Sequence, residues 1–135
     1  MRRPVGGLWF VVGGCVLLVA TTFTSHARGA DVEKGKAAFE ACAACHSLDG
    51  SGDYDGPTLK DVIGRKAGSL EDYRYSAAMK RSDVIWDAAS LDKYVADPQA
   101  FIPGNRMAFA GIADRGERDD LIAFLMIATK ETKSK

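Results

Sequence analysis

Apolar and polar positions divide this chain into segments of distinct character. Residues 8–20 are nearly all apolar and follow Arg2 and Arg3. Over residues 31–44, Val32, Gly35, Phe39 and Cys42 or Ala43 recur at intervals of three and four, the period of one helix face. Gly35 within that face costs a helix ~1 kcal/mol relative to alanine. It is expected where another helix crosses closely, the alternative being a tolerated glycine on an exposed turn. Residues 47–75 lose the period: Asp49-Gly50-Ser51-Gly52-Asp53 and Asp55-Gly56-Pro57 are turn material, so a long loop is expected. A loop of that length in a compact domain needs something to wrap around.

Order returns further on. Ser90 is expected to cap a short helix that carries Tyr94, runs to about Ala96 and is closed by Pro98. Residues 101–109 are apolar on a backbone broken by Pro103 and Gly104. Asp114-Arg115-Gly116-Glu117 resembles a capping box, opening a helix to about Lys130 with Leu121, Ile122, Phe124, Leu125 and Ala128 as its buried stripe. Nowhere does a sustained two-residue alternation appear, so the class is all-α.

The first segment is a secretory leader rather than part of the fold. Its positive start, apolar middle and small-x-small end (Ser25-His26-Ala27) predict cleavage after Ala27, with Ala30 as a second site and the folded domain over residues 31–135. An uncleaved anchor is the alternative, because residues 4–27 carry no formal charge and ~20 apolar residues span a bilayer. Interrupting glycines and threonines, and the short tether before the first helix, favour cleavage. Export places the mature protein in the bacterial periplasm.

Length allows one domain, with 135 residues in all. Formal charge is zero over the chain; from Asp31 onward 15 basic residues face 18 acidic ones, leaving −3. No basic surface for nucleic acid is implied.

Chemistry is concentrated in Cys42-Ala43-Ala44-Cys45-His46. C-x-x-C-H is the attachment signature of c-type haem, two thiols joining the vinyl groups and the histidine becoming the proximal iron ligand. A thiol–disulfide site would want a βαβ context, which is not visible. Structural zinc would want four ligands, and the remaining Cys15 and His26 both lie in the leader. A covalent haem would also supply apolar core to a loop-rich chain with 14 glycines. Its second axial ligand would come from Met79, Met107 or Met126. Met79 and Met126 read as core filler, whereas Met107 follows a Pro-Gly turn in a loop able to fold over a haem edge and is preferred.

Taken in order, Gly35, Phe39, the Cys42–His46 stretch, Gly56-Pro57-x-Leu59, Gly64-Arg65-Lys66-x-Gly68, Tyr73-x-Tyr75-Ser76, Trp86, Tyr94, Pro98, Ile102-Pro103-Gly104-x-x-Met107-x-Phe109 and Leu121-Ile122-x-Phe124-Leu125 resemble class I cytochromes c. The likeness is to the mitochondrial protein and its small soluble bacterial relatives, over nearly all of the region after the leader. It implies N- and C-terminal helices that cross, with short helices and long loops wrapped around one haem. Met107 is implied as the ligand opposite His46. Pro57 is implied to accept the other ring N–H of His46, Tyr75 and Trp86 to donate to a propionate with Arg65 nearby, and Tyr94 to face the Met107 sulfur. Gly35 and Phe39 would meet the last helix near Leu121 and Phe124. Singly, Tyr73, Tyr75 and Trp86 also read as core or rim aromatics, and Arg65 as a solvated charge.

Departures from the mitochondrial pattern bear on partners. Ala41, Gln99 and Ala100 stand where lysines are common, Met79 where asparagine is common, and Asn105 where a threonine touches a propionate. Lys36, Lys80, Arg81, Lys93 and Arg106 remain as a basic patch. With His46 and Met107 both on iron, no position is left for substrate, so a monomeric one-electron carrier is expected, not an enzyme. Its partners would be a membrane cytochrome complex, oxidase, reductase or photosynthetic reaction centre. It would touch membrane only through them or through an uncleaved leader. The rivals are a membrane-anchored carrier or electron-entry subunit, an open-site haem protein binding gases or peroxide, and a haem-free thiol module.

Overall fold

In a computed structural model, residues 29–51 and 55–130 are described. The leader, with its alternative reading as an anchor, lies outside them, as do Gly52 and Asp53 of the expected turn. The elements are α1 (Val32–Ala43), α2 (Ala77–Arg81), α3 (Ala88–Ala96), α4 (Pro98–Phe101) and α5 (Arg115–Ala128). Among the described residues there is no strand, only one antiparallel bridge between Lys66 and Ile85. The all-α class holds.

Each helix begins where a short acidic or hydroxyl side chain satisfies amides that have no partner inside the helix. Asp31 accepts from Glu33 and Lys34 N–H at α1. Asp114 accepts from Glu117 N–H at α5 (2.8 Å). Ser90 was expected as the cap of α3, but Asp87 fills that place and the helix starts earlier. Asp87 Oδ1 accepts from Ser90 N–H (2.7 Å), and Ser90 Oγ accepts from Asp87 N–H (2.8 Å). Ser90 is thus the reciprocal half of a capping box. Pro98 does follow α3, yet it also opens α4, where its missing N–H costs nothing, with Asp97 capping through Ala100 N–H (2.9 Å). The helix α2 has five residues and one buried side chain, Met79, too short for a visible period.

The fold rests on α1 crossing α5. A Cβ at Gly35 would collide with the Asp120 carbonyl oxygen and crowd Phe124 Cβ at 2.9 Å. The missing side chain is what allows the contact, as the glycine in the apolar stripe predicts. Around it Phe39 and Phe124 rings stand 5.5 Å apart and Leu121 is wholly buried. Burying such a side chain stabilises by roughly 1.5–3 kcal/mol. The Asp120 carboxylate, also buried, accepts from Asp31 N–H (2.7 Å), tying the start of α1 to the middle of α5. Of the expected stripe on α5, Leu121, Ile122 and Leu125 are buried, and Phe124 and Ala128 partly so.

Two apolar clusters result. One gathers Phe39, Leu121 and Leu125, with Cys42 and Ile112 packed on it; the other gathers Trp86, Tyr94, Met79, Ile102 and Ile122, with Met107 and Tyr75 packed on it. Leu59, from the long loop, touches both. Arg118 docks α5 onto α3 through Asp92 (2.6 Å) and holds the Ile112 and Ala113 carbonyls (2.9 Å each).

Gly35→Ala tests the crossing. Helix propensity alone would predict a gain of ~1 kcal/mol, while overpacking predicts a loss of about 1–3 kcal/mol. The backbone collision should win, and chemical denaturation of the haem-loaded protein should show lower stability.

Candidate functional site

The C-terminal end of α1 turns sharply: the Cys42 carbonyl accepts from both Cys45 N–H (3.0 Å) and His46 N–H (2.9 Å). This brings Cys42, half-buried, and Cys45, exposed, into one turn with His46 directly after it. The returning loop then pairs with that turn. Gly56 N–H donates to the Cys45 carbonyl (2.9 Å), and Leu59 N–H to the Ser47 carbonyl (2.8 Å). Between them His46 Nδ1–H donates to the Pro57 carbonyl at 2.7 Å. Gly56 permits this approach, since a Cβ there would lie 2.5 Å from His46 Cε1.

The bond to Pro57 leaves Nε2 with the ring's free lone pair and fixes the tautomer, as an outer partner does for a ligating histidine. Burial pushes the His46 pKa down, against the smaller opposite pull of the Pro57 carbonyl. A neutral imidazole is the form that binds metal.

Arg65 secures this loop. Its guanidinium donates to the Thr58 carbonyl (2.7 Å) and the Lys60 carbonyl (2.8 Å), on either side of Leu59 and just beyond Pro57. Reading it as a solvated charge is therefore wrong; it is partly buried, and burial lowers its pKa. Its positive charge lies near Tyr75, whose phenol burial raises and Arg65 partly restores. Main-chain bonds carry the clamp onward: Trp86 N–H donates to the Arg65 carbonyl (2.9 Å), and Gly64 N–H to the Trp86 carbonyl (2.7 Å). Trp86 is buried with its ring 5.0 Å from that of Tyr94. Tyr73 and Tyr75 meet edge-on at 4.7 Å, and Tyr73 Oη–H donates to the Asp55 carbonyl (2.7 Å).

Met107 packs, half-buried, on the cluster containing Trp86 and Tyr94. Met79 is part of that core and Met126 packs against it, the filler roles expected for both. The Tyr94 hydroxyl, implied to face the Met107 sulfur, donates to Asn105 Oδ1 (3.3 Å). Asn105, which stands where the mitochondrial pattern has a threonine, is buried and spends its amide on the protein. These bonds of Asn105 were not singled out from the sequence; a polar residue two places before Met107, in a largely apolar loop, was the available signal.

The donor set suits haem. A neutral imidazole and a thioether are ligands of haem iron, and two unpaired thiols sit in the turn that carries the imidazole. Cys42 also lines an open crevice of about 430 Å³ beside Ala38, Ala41 and Phe109, which neither His46 nor Met107 lines. The rival thiol module fits poorly. Burial, and secondarily Cys45, push the Cys42 thiol up, whereas a reactive thiol needs its pKa lowered. Nor do three His, Cys, Asp or Glu side chains assemble as a metal-binding group among the described residues.

Known proteins resemble the chain over most of its length. The family profile described as Cytochrome c matches residues 32–128. Cytochrome c2 of Rhodoplanes tepidamans is 45% identical over 96 residues, 70% of this chain and 90% of that protein. Cytochrome c-550 of Nitrobacter winogradskyi is 43% identical over 106 residues, 78% of this chain and 97% of that protein. Among solved structures, cytochrome cH from Methylobacterium extorquens superposes with a TM-score of 0.66 at 44% identity, covering 71% of this chain and 97% of its own.

Tyr94 makes the site sensitive to high pH. Burial first, and Tyr73 second, raise its phenol to about 12, against about 10 in an unfolded chain. Above pH ~10 the unfolded chain gives up a proton that the fold retains. The contribution is therefore complete below that pH and is lost as pH rises through the folded value, by roughly 2–3 kcal/mol. Denaturation of the haem-loaded protein at stepped pH should show this decline, and Tyr94→Phe should remove it.

Proposed function

The chain belongs to the cytochrome c family, and on that premise we propose that His46 and Met107 form the axial pair of its haem. As a member it is an electron-transfer protein with covalently attached haem c, which supplies a one-electron ferric–ferrous couple, and it works with redox partner proteins. Cys42 and Cys45 are the thioether positions in this reading, and Pro57 orients His46. Arg65 keeps the Pro57 loop in place, while Tyr75 and Trp86 would donate to a propionate and Tyr94 would lie on the Met107 side.

One observation carries the axial reading: both candidate ligands are tied by hydrogen bonds to neighbouring backbone or buried side chains. His46 is held through its ring (2.7 Å to the Pro57 carbonyl), and Met107 through its main chain (2.9 Å to Asn105 Oδ1). Ligands held this firmly leave no coordination position for substrate and little geometry to rearrange when one electron is gained. The role is then that of a carrier without catalysis of its own. Thioether sulfur also favours the ferrous state and raises the potential.

The remaining reading concerns place and partners. Removal of the leader after Ala27 or Ala30 would release a monomer into the periplasm. There it would exchange electrons with a membrane cytochrome complex, an oxidase, a reductase or a reaction centre. No helix among the described residues is long and apolar enough to cross a membrane. Lys36, Lys80, Arg81, Lys93 and Arg106 are all exposed and available for docking, as are Ala41, Gln99 and Ala100 in place of lysines.

Visible spectra of the exported protein test this. The oxidised form should show a weak far-red sulfur-to-iron band, and the reduced form sharp bands indifferent to carbon monoxide. Met107→Ala should abolish the far-red band, admit carbon monoxide and lower the potential. Rapid carbon monoxide binding by the unaltered protein would overturn the axial assignment and favour an open site. N-terminal sequencing of the exported protein tests the leader, whose retention would indicate a tethered carrier.

A further inference from the structure

Asn105 lies two residues before Met107 and is only 6% exposed. A side-chain amide offers two N–H donors and an oxygen with two lone pairs, and this one uses all four. Nδ2 donates to the Pro98 carbonyl (2.7 Å) and the Ile102 carbonyl (3.0 Å). Oδ1 accepts from Met107 N–H (2.9 Å) and from the Tyr94 hydroxyl (3.3 Å). The orientation is unambiguous, because a flipped amide would set oxygen against two carbonyls and nitrogen against an N–H.

These bonds differ in what they join. The bond to Met107 N–H is local, the two-residue turn that asparagine side chains favour. Those to Pro98 and Tyr94 reach α4 and α3. A segment with no regular structure of its own is thereby referenced to two helices through one side chain. Farther along, Ile112 N–H donates to the Val95 carbonyl (2.8 Å), so the stretch that carries Met107 is held at both ends.

We propose that Asn105 is a positioning residue for axial ligation: by accepting from Met107 N–H while anchored to α3 and α4, it keeps the thioether on the iron. The assignment rests on reading Met107 as the axial ligand. It differs from a loop-filling role, in which only the Nδ2 bonds to Pro98 and Ile102 would matter. Any exogenous ligand must wait for Met107 to leave, so its apparent affinity reports the fraction of time the thioether is off.

Asn105→Ala and Asn105→Ser in the haem-loaded protein separate the two roles. Serine can still accept from the N–H two residues on, though more weakly, while both substitutions delete the Nδ2 donors. Two readouts apply: the pH midpoint at which the far-red band disappears, and the affinity of the ferric protein for imidazole. In Asn105→Ala the midpoint should fall by about one pH unit and imidazole affinity should rise about tenfold, the effect of losing one hydrogen bond. Asn105→Ser should recover part of both shifts, the remainder reporting the lost Nδ2 anchor. Unchanged values in Asn105→Ala, or equal shifts in the two variants, would overturn the assignment. Should Asn105→Ala not hold the fold by circular dichroism, Asn105→Thr and Asn105→Val make the same comparison at matched shape. Threonine must then keep the band to higher pH, and equality again overturns the assignment. A wild-type protein with no far-red band would overturn the Met107 ligand and this inference together; a wild-type band with unresponsive variants overturns the inference alone.

Discussion

The proton on His46 Nδ1 is held by the Pro57 carbonyl, and much of the architecture exists to keep that carbonyl in place. A carbonyl on a free loop would give the ring no fixed plane. Here Gly56 and Leu59 are bonded back to the turn that carries His46, and Arg65 seizes the next two available carbonyls. The helix that delivers the turn is itself set by its close crossing with α5 at Gly35. Tautomer, ring orientation and thiol placement thus descend from backbone contacts, which stay put because their partners are buried or doubly tied.

The other half of the centre is built by different means. No helix carries Met107, the proposed second ligand; its segment is held at one end by the Asn105 amide and at the other by the Ile112 bond to the Val95 carbonyl. The two halves are mechanically continuous. From Pro57 the chain of contacts runs through Arg65 and the main chain of Trp86, then by ring packing to Tyr94, whose hydroxyl meets Asn105. Electron transfer benefits from such stiffness, since a site that does not move on reduction adds little to the barrier. On the proposed His46 and Met107 ligation, neutral ligands on a rigid frame are the physical content of the carrier role.

Some of this was legible in the chain itself. C-x-x-C-H names its cofactor because thiol spacing and the following imidazole are local, covalent facts. The helix periods of α1 and α5 survive because each has a buried face several turns long. Gly35 announced a crossing because a glycine inside an apolar face has few other reasons to be there. What stayed hidden was short or long-range. α2 is too brief to show a period, and Asp87 rather than Ser90 caps α3 because either residue type can start a helix and only the backbone path chooses.

By itself, then, the sequence determined the helical class, the attachment turn and the small set of methionines able to complete the centre, while its resemblance to class I cytochromes c implied the crossing of the terminal helices. Those features depend on residue type and spacing along the chain, which folding does not alter. Only the tertiary structure decided which groups serve them. It made Arg65 a loop clamp, set the Tyr94 hydroxyl to donate to Asn105, and buried Asn105 against the start of the Met107 segment. The physical reason is that a hydrogen bond is set by where donor and acceptor meet in space. In this loop-rich fold, those meetings join residues that no local pattern relates.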